Sequence, residues 1–536
     1  MNIYAFDNFG YEGNVVTVEA YLRKGVPAFD IVGLADEATK FSRERVKAGI
    51  KNSGLEFPSD RILVSLTSGN THKEGAGYDL PVAMEILNSQ LQKNNPETKY
   101  DNDRILVLGE LKLSGEIVPV RSALAAAETA SSLGINKVIC HSGNAEELTS
   151  IPGLKIAAVE NIAQALEAMQ DREKFVENRI EKKDPMAVEF NVADKELLET
   201  ARNLDVKGLY QSCHALEVAI AGKHNLYFTG SYSPEKSELI QAFVPTLTPK
   251  MTDEEARVTS RIKSIAGLNH GFSVREKNAI PFRIPHQTAT LERMCGGGSN
   301  AMPGEISLAN NGVLFLDNVD EFSLSNLHML RVPINAKNIT LSKPGMSTTY
   351  PAKFQLMMAG NSCACGNFGS SSRVCLCSAA SVKKHTDKIP SSLMVNIEIK
   401  DFVERNPKDK RIWDFDDAQK RIKKAYEIQR KRGTFNADLS PDEIREYCKL
   451  DEKSEKFFED AVKTEEFSMR ESMNFLKVSL TLANLDGREK IMLKDIKDAY
   501  RLTIPVLDSS YTLKLDKKSS LENEKPSLEI EKGRQL

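Results

Sequence analysis

The chain has 536 residues, which is too long for one ordinary hydrophobic core, so the sequence predicts two to four domains. Its 72 basic and 75 acidic residues leave a formal net charge of −3, which excludes a global positive field that would attract nucleic acid. No stretch approaches the roughly twenty apolar residues that a membrane-spanning helix needs. The opening MNIYAFDNFG lacks the pattern of a secretory signal, so we expect a cytoplasmic protein without a membrane partner.

The first part of the chain, residues 1–168, alternates short apolar runs with helix-like stretches, which predicts an α+β domain. The predicted strands are residues 15–18, 29–32, 61–66, 104–108 and 137–140, and the alanine-rich stretch 123–133 is a predicted helix. The next stretch, residues 169–193, is highly charged and poor in aliphatic residues. We interpret it as a linker.

The middle part, residues 194–403, again alternates strands with helices. Its apolar strands, residues 225–229, 313–316 and 354–358, are bounded by Gly, Asn or charged residues, which indicates a parallel sheet covered on both faces. Residues 404–512 are helix-like and predict a helical domain, with the clearest amphipathic pattern at 475–485. The last residues, 513–536, are mostly charged and predict a disordered tail. The predicted fold class is therefore α/β multidomain.

A candidate phosphate loop lies between Gly230 and Ser237. The strand NLYFT runs into GSYSPEKS, and a helix follows. In a P-loop, backbone N–H groups cradle phosphate, the lysine reaches the outer phosphates, and the hydroxyl binds magnesium. Gly230, Lys236 and Ser237 keep that spacing, while Glu235 replaces the second glycine and is expected to repel a triphosphate. On these eight residues alone, an ordinary strand-turn-helix is the better interpretation.

A second element favours the nucleotide site. The apolar strand GVLFLD ends in Asp317, which is where a magnesium-binding carboxylate has to stand. Asn318 follows where a glutamate normally polarises the attacking water, and an amide cannot take a proton. We therefore expect slow or absent hydrolysis. Asn361 ends the next strand, where an AAA+ module places its γ-phosphate sensor; an asparagine that simply ends a strand is the alternative.

Four of the eight cysteines lie within fifteen residues, and such a cluster in a large chain indicates a metal site rather than a disulfide framework. They are Cys363, Cys365, Cys375 and Cys377. Four thiolates can close a tetrahedral zinc site, although C-x-C is tighter than the common C-x-x-C. The alternative is four reduced thiols in a Gly- and Ser-rich loop.

Several long segments resemble the ComM/YifB family of magnesium-chelatase-like AAA+ proteins over roughly nine tenths of the chain. They include THKEGAGYDLPVAMEIL, VLGELKLSGEIVPVRSALAAA, HALEVAIAGKHNL, GGGSNAMPGEISLANNGVLFLDNVDEF, YPAKFQLMMAGNSCACGNFG and SMRESMNFLKVSLTLANLDG. The resemblance implies a Lon-protease-like amino-terminal domain, an AAA+ P-loop module and a carboxyl-terminal helical lid. It also implies ATP with Mg²⁺, a homo-oligomeric ring of hexameric size, and action on single-stranded or branched DNA in natural transformation. A similar cysteine pattern recurs in the family, which supports zinc.

The departures from the family pattern concern catalysis. Besides Glu235 and Asn318, the arginine that completes a neighbour's site in the family is replaced by Asn396, whereas Arg470 keeps the place of the sensor-2 arginine. An arginine finger can be worth several orders of magnitude in rate. The resemblance therefore implies weak ATP binding through Lys236, Asp317 and Arg470 with little turnover.

The Lon-like resemblance raises the question of peptidase activity, because Lon-type domains use a Ser–Lys dyad. Here Gly77 stands at the serine place and Leu124 at the lysine place, so we expect no peptidase activity. Asp79 in the same loop is expected to be a solvated charge.

Three functions are compatible with the sequence. The first is a DNA-acting ComM-like ring with reduced ATPase activity. The second is a non-catalytic scaffold or regulatory subunit that assembles with an active AAA+ partner. The third, a motor inserting magnesium into a porphyrin, has less support, because a Lon-like domain in front differs from a chelatase subunit.

Overall fold

The computed structural model describes residues 1–33, 36–67, 76–94, 103–177, 187–190, 195–268, 278–343, 346–370 and 373–504. The predicted tail, residues 513–536, lies outside the described residues, as do residues 178–186 and 191–193 of the predicted linker. None of the helices in the described part of the chain combines the length and the apolar character needed to cross a membrane.

The amino-terminal part is a mixed sheet in the order β10-β9-β8-β5-β1-β2-β4-β3 with five helices among its described residues. The strands are β1 Asn2–Asp7, β2 Asn14–Arg23, β3 Ala28–Val32, β4 Arg61–Thr67, β5 Arg104–Leu108, β8 Lys137–His141, β9 Lys155–Val159 and β10 Val176–Glu177; β6 Glu110–Leu111 and β7 Ile117–Val118 form a separate hairpin. The helices are α1 Asp36–Asn52, α2 Asp79–Asn94, α3 Ala123–Ser132, α4 Ser142–Leu148 and α5 Ile162–Gln170.

Two expectations for this part need correction. Helix α5 runs past the predicted boundary at residue 168, and β10, inside the predicted linker, pairs antiparallel with β9 and extends the sheet. Asp79 is not solvated: its side chain is fully buried at the start of α2, where Ser42 donates a 2.6 Å hydrogen bond to it and Arg45 pairs with it. A carboxylate is stabilised at a helix amino terminus, so burial there is physically reasonable.

The middle part is a five-stranded sheet, parallel throughout, in the order β12-β15-β18-β11-β19. Its strands are β11 Leu226–Gly230, β12 Phe282–Arg283, β15 Val313–Leu316, β18 Gln355–Ala359 and β19 Ile399–Val403, and two hairpins flank it, β13 Gly296–Gly297 with β14 Met302–Pro303 and β16 Asn338–Lys343 with β17 Met346–Pro351. Around it lie α6 Lys195–Asn203, α7 Tyr210–Gly222, α8 Glu235–Leu247, α9 Asp253–Ile265, α10 Leu291–Cys295, α11 Glu305–Leu308, α12 Leu324–Met329, α13 Arg331–Ala336, α14 Ala379–Thr386 and α15 Ser391–Met394.

The parallel sheet is buried on both faces, as its apolar strands predict. Successive residues of β15 alternate between two hydrophobic clusters: Val313 and Phe315 belong to one, Leu314 and Leu316 to the other. The first cluster contains apolar residues of the carboxyl-terminal helices, and the second contains the alanine-rich α3 of the amino-terminal part. The parallel sheet therefore lies between these two parts of the chain.

The carboxyl-terminal part consists of helices α16 Phe415–Arg432, α17 Pro441–Tyr447, α18 Glu452–Thr464, α19 Met469–Leu485 and α20 Leu493–Thr503. Helices α17 and α19 begin with capping boxes, in which Ser440 and Ser468 exchange hydrogen bonds with the glutamate three residues later. The buried Glu217 of α7 joins this part to the sheet: it accepts hydrogen bonds from Trp413 and Arg421 at 2.6–2.9 Å.

Candidate nucleotide-binding site

The candidate phosphate loop follows β11 at the carboxyl edge of the parallel sheet, and α8 begins at Glu235. Gly230 is required at the end of the strand because a Cβ there would lie 2.5 Å from the carbonyl oxygen of Val403 on the neighbouring β19. The architecture is thus strand, tight turn and helix, the arrangement that presents a helix amino terminus to an anion.

Lys236, Ser237 and Asp317 come together at this edge. The hydroxyl of Ser237 donates to Asp317 Oδ1 at 2.6 Å, and this bond spans eighty residues of sequence. The Lys236 side chain is nearly fully buried, and its Nζ donates to the carbonyl oxygen of Ser231 at 2.5 Å. Burial lowers the pKa of Lys236, while Asp320, Glu235 and Asp317 oppose that shift in this order. An ammonium group, a hydroxyl and a carboxylate thus share one site.

Several backbone N–H groups of the loop are absent or already donate hydrogen bonds within the chain, so they are not free to bind a phosphate. Pro234 has no N–H, the N–H of Tyr232 donates to the carbonyl oxygen of Gly366 at 2.6 Å, and that of Glu235 donates to Ser233 Oγ at 3.2 Å. This loop therefore offers fewer backbone donors to an anion than a glycine-rich loop of the same length.

The sequence predicts that Glu235 repels a triphosphate, but its carboxylate is paired with an arginine that the sequence did not reveal. Arg405 Nε lies 2.7 Å from Glu235 Oε1, and Nη1 of the same guanidinium lies 2.9 Å from Asp205 Oδ2. Hydrogen bonds to Glu235 lead the causes that raise the pKa of Arg405. The carboxylate that replaces the loop's glycine is thus neutralised within the same chain.

Asn361 lies beside a carboxylate that the sequence analysis missed, Asp320, whose side chain is only 8% exposed. Asn318 adopts a left-handed conformation with φ 52° directly after Asp317. Asp320 Oδ1 accepts from the backbone N–H of Asn361 at 3.1 Å, and His385 Nε2 lies 3.2 Å from the Asn361 carbonyl oxygen and 3.5 Å from Asp320 Oδ2. Asp320 and His385 therefore hold the backbone of Asn361 from both sides.

Arg470 is placed apart from the phosphate loop. Its guanidinium donates to Asn396 Oδ1 at 2.9 Å and to Asn335 Oδ1 at 3.0 Å. The carbonyl of Asn396 accepts from Asn225 just before β11, which is the amino edge of the sheet. A five-residue strand, roughly 16 Å long, separates that edge from the phosphate loop. Asn396, in the arginine-finger place, and Arg470, in the sensor-2 place, are thus hydrogen-bonded to each other.

The four clustered cysteines converge as the sequence predicted. Their Sγ atoms all lie within 4.8 Å of one another, and three of the pairs are 3.4–3.7 Å apart. Tetrahedral zinc with Zn–S bonds of about 2.3 Å requires S···S separations of about 3.8 Å. The backbone N–H of Phe368 points at Cys363 Sγ at 3.3 Å, and a hydrogen bond from the Asn367 backbone leads the causes that lower the pKa of Cys365. The donors and their spacing fit zinc.

The cysteine-bearing segment also touches the phosphate loop. The N–H of Ser362 donates to the carbonyl oxygen of Gly230 at 2.9 Å, and Gly366 accepts from Tyr232. A Cβ on Gly366 would lie 2.7 Å from the Cβ of Tyr232, so the two backbones approach closely. Order in one loop therefore depends on order in the other.

Family comparisons match three consecutive segments. The model "Magnesium chelatase, subunit ChlI" matches residues 203–411, "Subunit ChlI of Mg-chelatase" matches residues 18–144, and "Magnesium chelatase, subunit ChlI C-terminal" matches residues 415–502. The first segment spans the parallel sheet, the second lies within the part of the chain that forms the mixed sheet, and the third spans nearly all of the carboxyl-terminal helices.

Similar full-length proteins extend over nearly the same length. Competence protein ComM of Haemophilus influenzae is 29% identical over 94% of this chain and 98% of its own length. The YifB proteins of Escherichia coli and Salmonella typhimurium are each 30% identical over 91% of this chain and 94% of their own length. With these matches, and with the α/β module and helices described above, the chain belongs to the ComM/YifB family of magnesium-chelatase-like proteins.

Proposed function

We propose that this chain binds ATP with Mg²⁺ and acts on DNA in competence and recombination, with hydrolysis weakened or lost. The observation that carries the proposal is the 2.6 Å bond between Ser237 Oγ and Asp317 Oδ1 beside the buried ammonium of Lys236. A hydroxyl and a carboxylate at hydrogen-bond distance are the pair that holds Mg²⁺ in P-loop proteins, and the lysine supplies the charge for the outer phosphates.

Three features support weak catalysis. Asn318 offers an amide where a base is needed, Asn396 cannot supply the charge of an arginine finger, and the loop has few uncommitted N–H groups. Lys236 and Asp317 lie at the site and Arg470 lies apart from it, while the groups that accelerate hydrolysis are replaced. We therefore expect measurable affinity for ATP with very low turnover.

The test is to measure Mg²⁺-ATP affinity and turnover for the wild type and for Lys236→Ala. We expect the wild type to bind, the variant to bind at least tenfold more weakly, and both to hydrolyse ATP far below the common enzyme range of about 1–1,000 per second. Ordinary turnover abolished by Lys236→Ala would overturn the claim of weakened hydrolysis. Equal affinity in both proteins would overturn the nucleotide site itself.

The action on DNA rests on the similarity to a competence protein and requires an assembly, because the net charge of −3 offers no global attraction. We propose a homo-oligomeric ring, hexameric by family resemblance, with a Lon-like amino-terminal domain that lacks peptidase residues, an AAA+ module and a helical lid. Binding to branched and single-stranded DNA should require oligomerisation and should weaken steeply with salt. Salt-insensitive binding contradicts contacts to phosphate.

The scaffold alternative is supported by the environment of Asn396. Its side chain is only 6% exposed, donates to the Ser392 carbonyl and accepts from Arg470. It therefore presents no charge to a neighbouring subunit. A mixed ring in which an active AAA+ partner supplies the missing arginine would account for this arrangement. Co-purification of a second ATPase that restores turnover would favour the alternative over the homo-oligomer.

The cysteine cluster is proposed to hold Zn²⁺ as a structural ion, because four thiolates with tetrahedral spacing leave no ligand position open for chemistry. Metal analysis of protein purified without added zinc should give about one Zn²⁺ per chain. Less than one zinc per two chains would contradict the assignment and leave four reduced thiols.

A further inference from the structure

A cavity of about 30 Å³ lies at the amino edge of the parallel sheet, opposite the phosphate loop. Val313 and Gln355, the first residues of β15 and β18, line it from the sheet, and Tyr426 and Asp438 line it from the carboxyl-terminal part. A single water needs about 10–15 Å³ on this measure, so the cavity has room for more than one water. It lies between the sheet and the carboxyl-terminal helices and is independent of the proposed nucleotide site.

The charge around this cavity is unbalanced. Its lining contains two carboxylates, Glu255 and Asp438, and five cationic side chains: Lys223, Lys250, Lys337, Lys353 and Arg430. Cations gathered around one cavity repel one another unless anions compensate them. The lining therefore carries a formal excess of three positive charges.

The ion pairs within the cavity do not remove this excess. Lys337 and Lys353 share a single carboxylate, since each Nζ lies 3.2 Å from one oxygen of Asp438. Lys223 is 3.5 Å from Glu255. Burial lowers the pKa of Lys223, Glu255 opposes that shift, and the neighbouring Lys353 adds to it. Because two lysines share one aspartate, a further anion beside them would be attracted by both.

The other cations are held by neutral or distant partners. Arg430 donates to the backbone carbonyl oxygens of Ala187 and Lys250, which carry no full charge. The Lys250 ammonium is 3.7 Å from Glu189, whose side chain is 58% exposed. Hydrogen bonds to carbonyl groups satisfy the donors of a guanidinium without neutralising it.

A buried hydroxyl in the lining provides an independent indication of a ligand. Thr248 is 6% exposed, it lines the cavity, and its Oγ1 makes no hydrogen bond to any described residue. Buried hydroxyls almost always find a partner, because leaving one unmade costs the full desolvation of the group. A ligand oxygen in the cavity would accept this bond.

We propose that this cavity is a binding site for a terminal phosphate group, either inorganic phosphate or the end of a phosphomonoester. A phosphate dianion offers acceptor oxygens for Lys337, Lys353 and Thr248 and offsets most of the excess charge. The side chains of Lys337 and Lys353 are 42% and 45% exposed, so the cavity reaches solvent beside them. A cavity of about 30 Å³ suits the end of a phosphate group, whereas a polynucleotide backbone would need an open groove.

The test uses full-length protein carrying Lys236→Ala, so that phosphate cannot report on the phosphate loop. Calorimetric titration with inorganic phosphate should show saturable binding of one ion per chain. Lys337→Gln and Lys353→Gln should each weaken the affinity at least fivefold. Lys343→Gln, an exposed lysine of the nearby β16–β17 hairpin, is the matched control and should leave the affinity unchanged.

Thr248→Val tests the site without changing charge and without endangering the fold, because it removes a buried hydroxyl that lacks a partner. We expect it to weaken phosphate binding about fivefold while the midpoint of thermal unfolding stays the same or rises. Equal phosphate affinity in wild type, Thr248→Val and Lys353→Gln would overturn the proposal, as would an equal loss in Lys343→Gln. An oligonucleotide with a 5′-phosphate competing better than its 5′-hydroxyl form would identify a nucleic-acid end as the source, and failure of both forms to compete would identify free phosphate. Equal competition by both forms would overturn a site for a terminal phosphate.

Discussion

Arg405 and Glu235 form an ion pair at 2.7 Å that crosses from the end of β19 to the first turn of α8. The glutamate replaces the glycine expected in a phosphate loop, and the arginine cancels its charge. Asp205 binds the same guanidinium from a third segment. The pair is therefore a compensated replacement, and Glu235 without Arg405 would leave an unbalanced negative charge beside the loop.

The first prediction concerns this compensation. Arg405→Ala should weaken ATP affinity about tenfold, because it leaves the Glu235 carboxylate unpaired at the helix terminus that would receive phosphate. Glu235→Gln should leave the affinity unchanged or improve it. In the double variant Arg405→Ala, Glu235→Gln, the affinity should return close to that of Glu235→Gln alone. Affinities that combine additively across this cycle would show that the two residues act independently.

The second prediction concerns the missing base. Asn318→Glu should raise the turnover of ATP at least tenfold, since general-base catalysis is commonly worth about 100- to 10,000-fold and this site lacks other parts of the machinery. The gain is limited by the left-handed φ of 52° at this position, which glutamate tolerates less well than asparagine. Asn318→Gln has the same length without a base and should not raise turnover; a similar increase in both variants would exclude proton transfer as the cause.

The sequence predicted the parallel sheet and the meeting of Ser237 with Asp317 because both depend on local patterns. Apolar strands bounded by polar residues identify the sheet, and residues that follow parallel strands meet at one edge by geometry. The strand predicted at residues 313–316 matches β15 residue for residue. The convergence of four cysteines follows in the same way from their short spacing.

The contacts missed from the sequence join distant segments. Asp320 and His385 lie 65 residues apart and meet because α14, which follows the cysteine-bearing segment, brings His385 back to the Asn361 backbone. Arg405 reaches Glu235 across 170 residues. The strand β10 was missed because its two residues lie in a charged stretch with no apolar pattern. Such pairings depend on tertiary geometry, which single-sequence periodicity does not contain.

The third prediction concerns the support of Asn361. His385→Ala removes the group that holds the Asn361 carbonyl and leaves the buried Asp320 without its imidazole neighbour, so we expect about threefold weaker ATP binding. Because a carbonyl oxygen only accepts, this hydrogen bond places the proton on Nε2. Lys384→Ala, an exposed change one residue earlier in α14, is the control. Fluorescent-nucleotide titration measures both, and indistinguishable affinities would show that Asn361 needs no such support.

The fourth prediction connects the proposed zinc site to the phosphate loop. Cys375→Ser combined with Cys377→Ser should abolish zinc retention and weaken ATP binding about tenfold, because Ser362 and Gly366 hold the loop through backbone hydrogen bonds. Leu376→Ala, at the 90% exposed residue between the two cysteines, should change neither quantity. Loss of zinc with unchanged ATP affinity would show that the loop keeps its shape without the ion.

The final prediction concerns pH. Burial raises the pKa of Glu398 from 4.5 to about 7, with Lys477 among the groups that oppose this shift. Between pH 4.5 and 7 the folded chain therefore holds a proton that the unfolded chain releases, so this group's contribution to the free energy of unfolding falls as pH rises. The loss is complete above about pH 7 and amounts to roughly 3 kcal/mol from the size of the shift.

Glu398→Gln imitates the protonated acid and keeps an oxygen that can accept the 2.8 Å hydrogen bond from the Asn225 backbone N–H. The midpoint of thermal unfolding should therefore fall less between pH 5 and pH 8 in this variant than in the wild type. Glu446→Gln, at an exposed position of α17, provides the control for the loss of one surface charge. If the profile of Glu398→Gln runs parallel to the wild type across this interval, the buried carboxyl is already ionised in the folded protein, and burial does not raise its pKa.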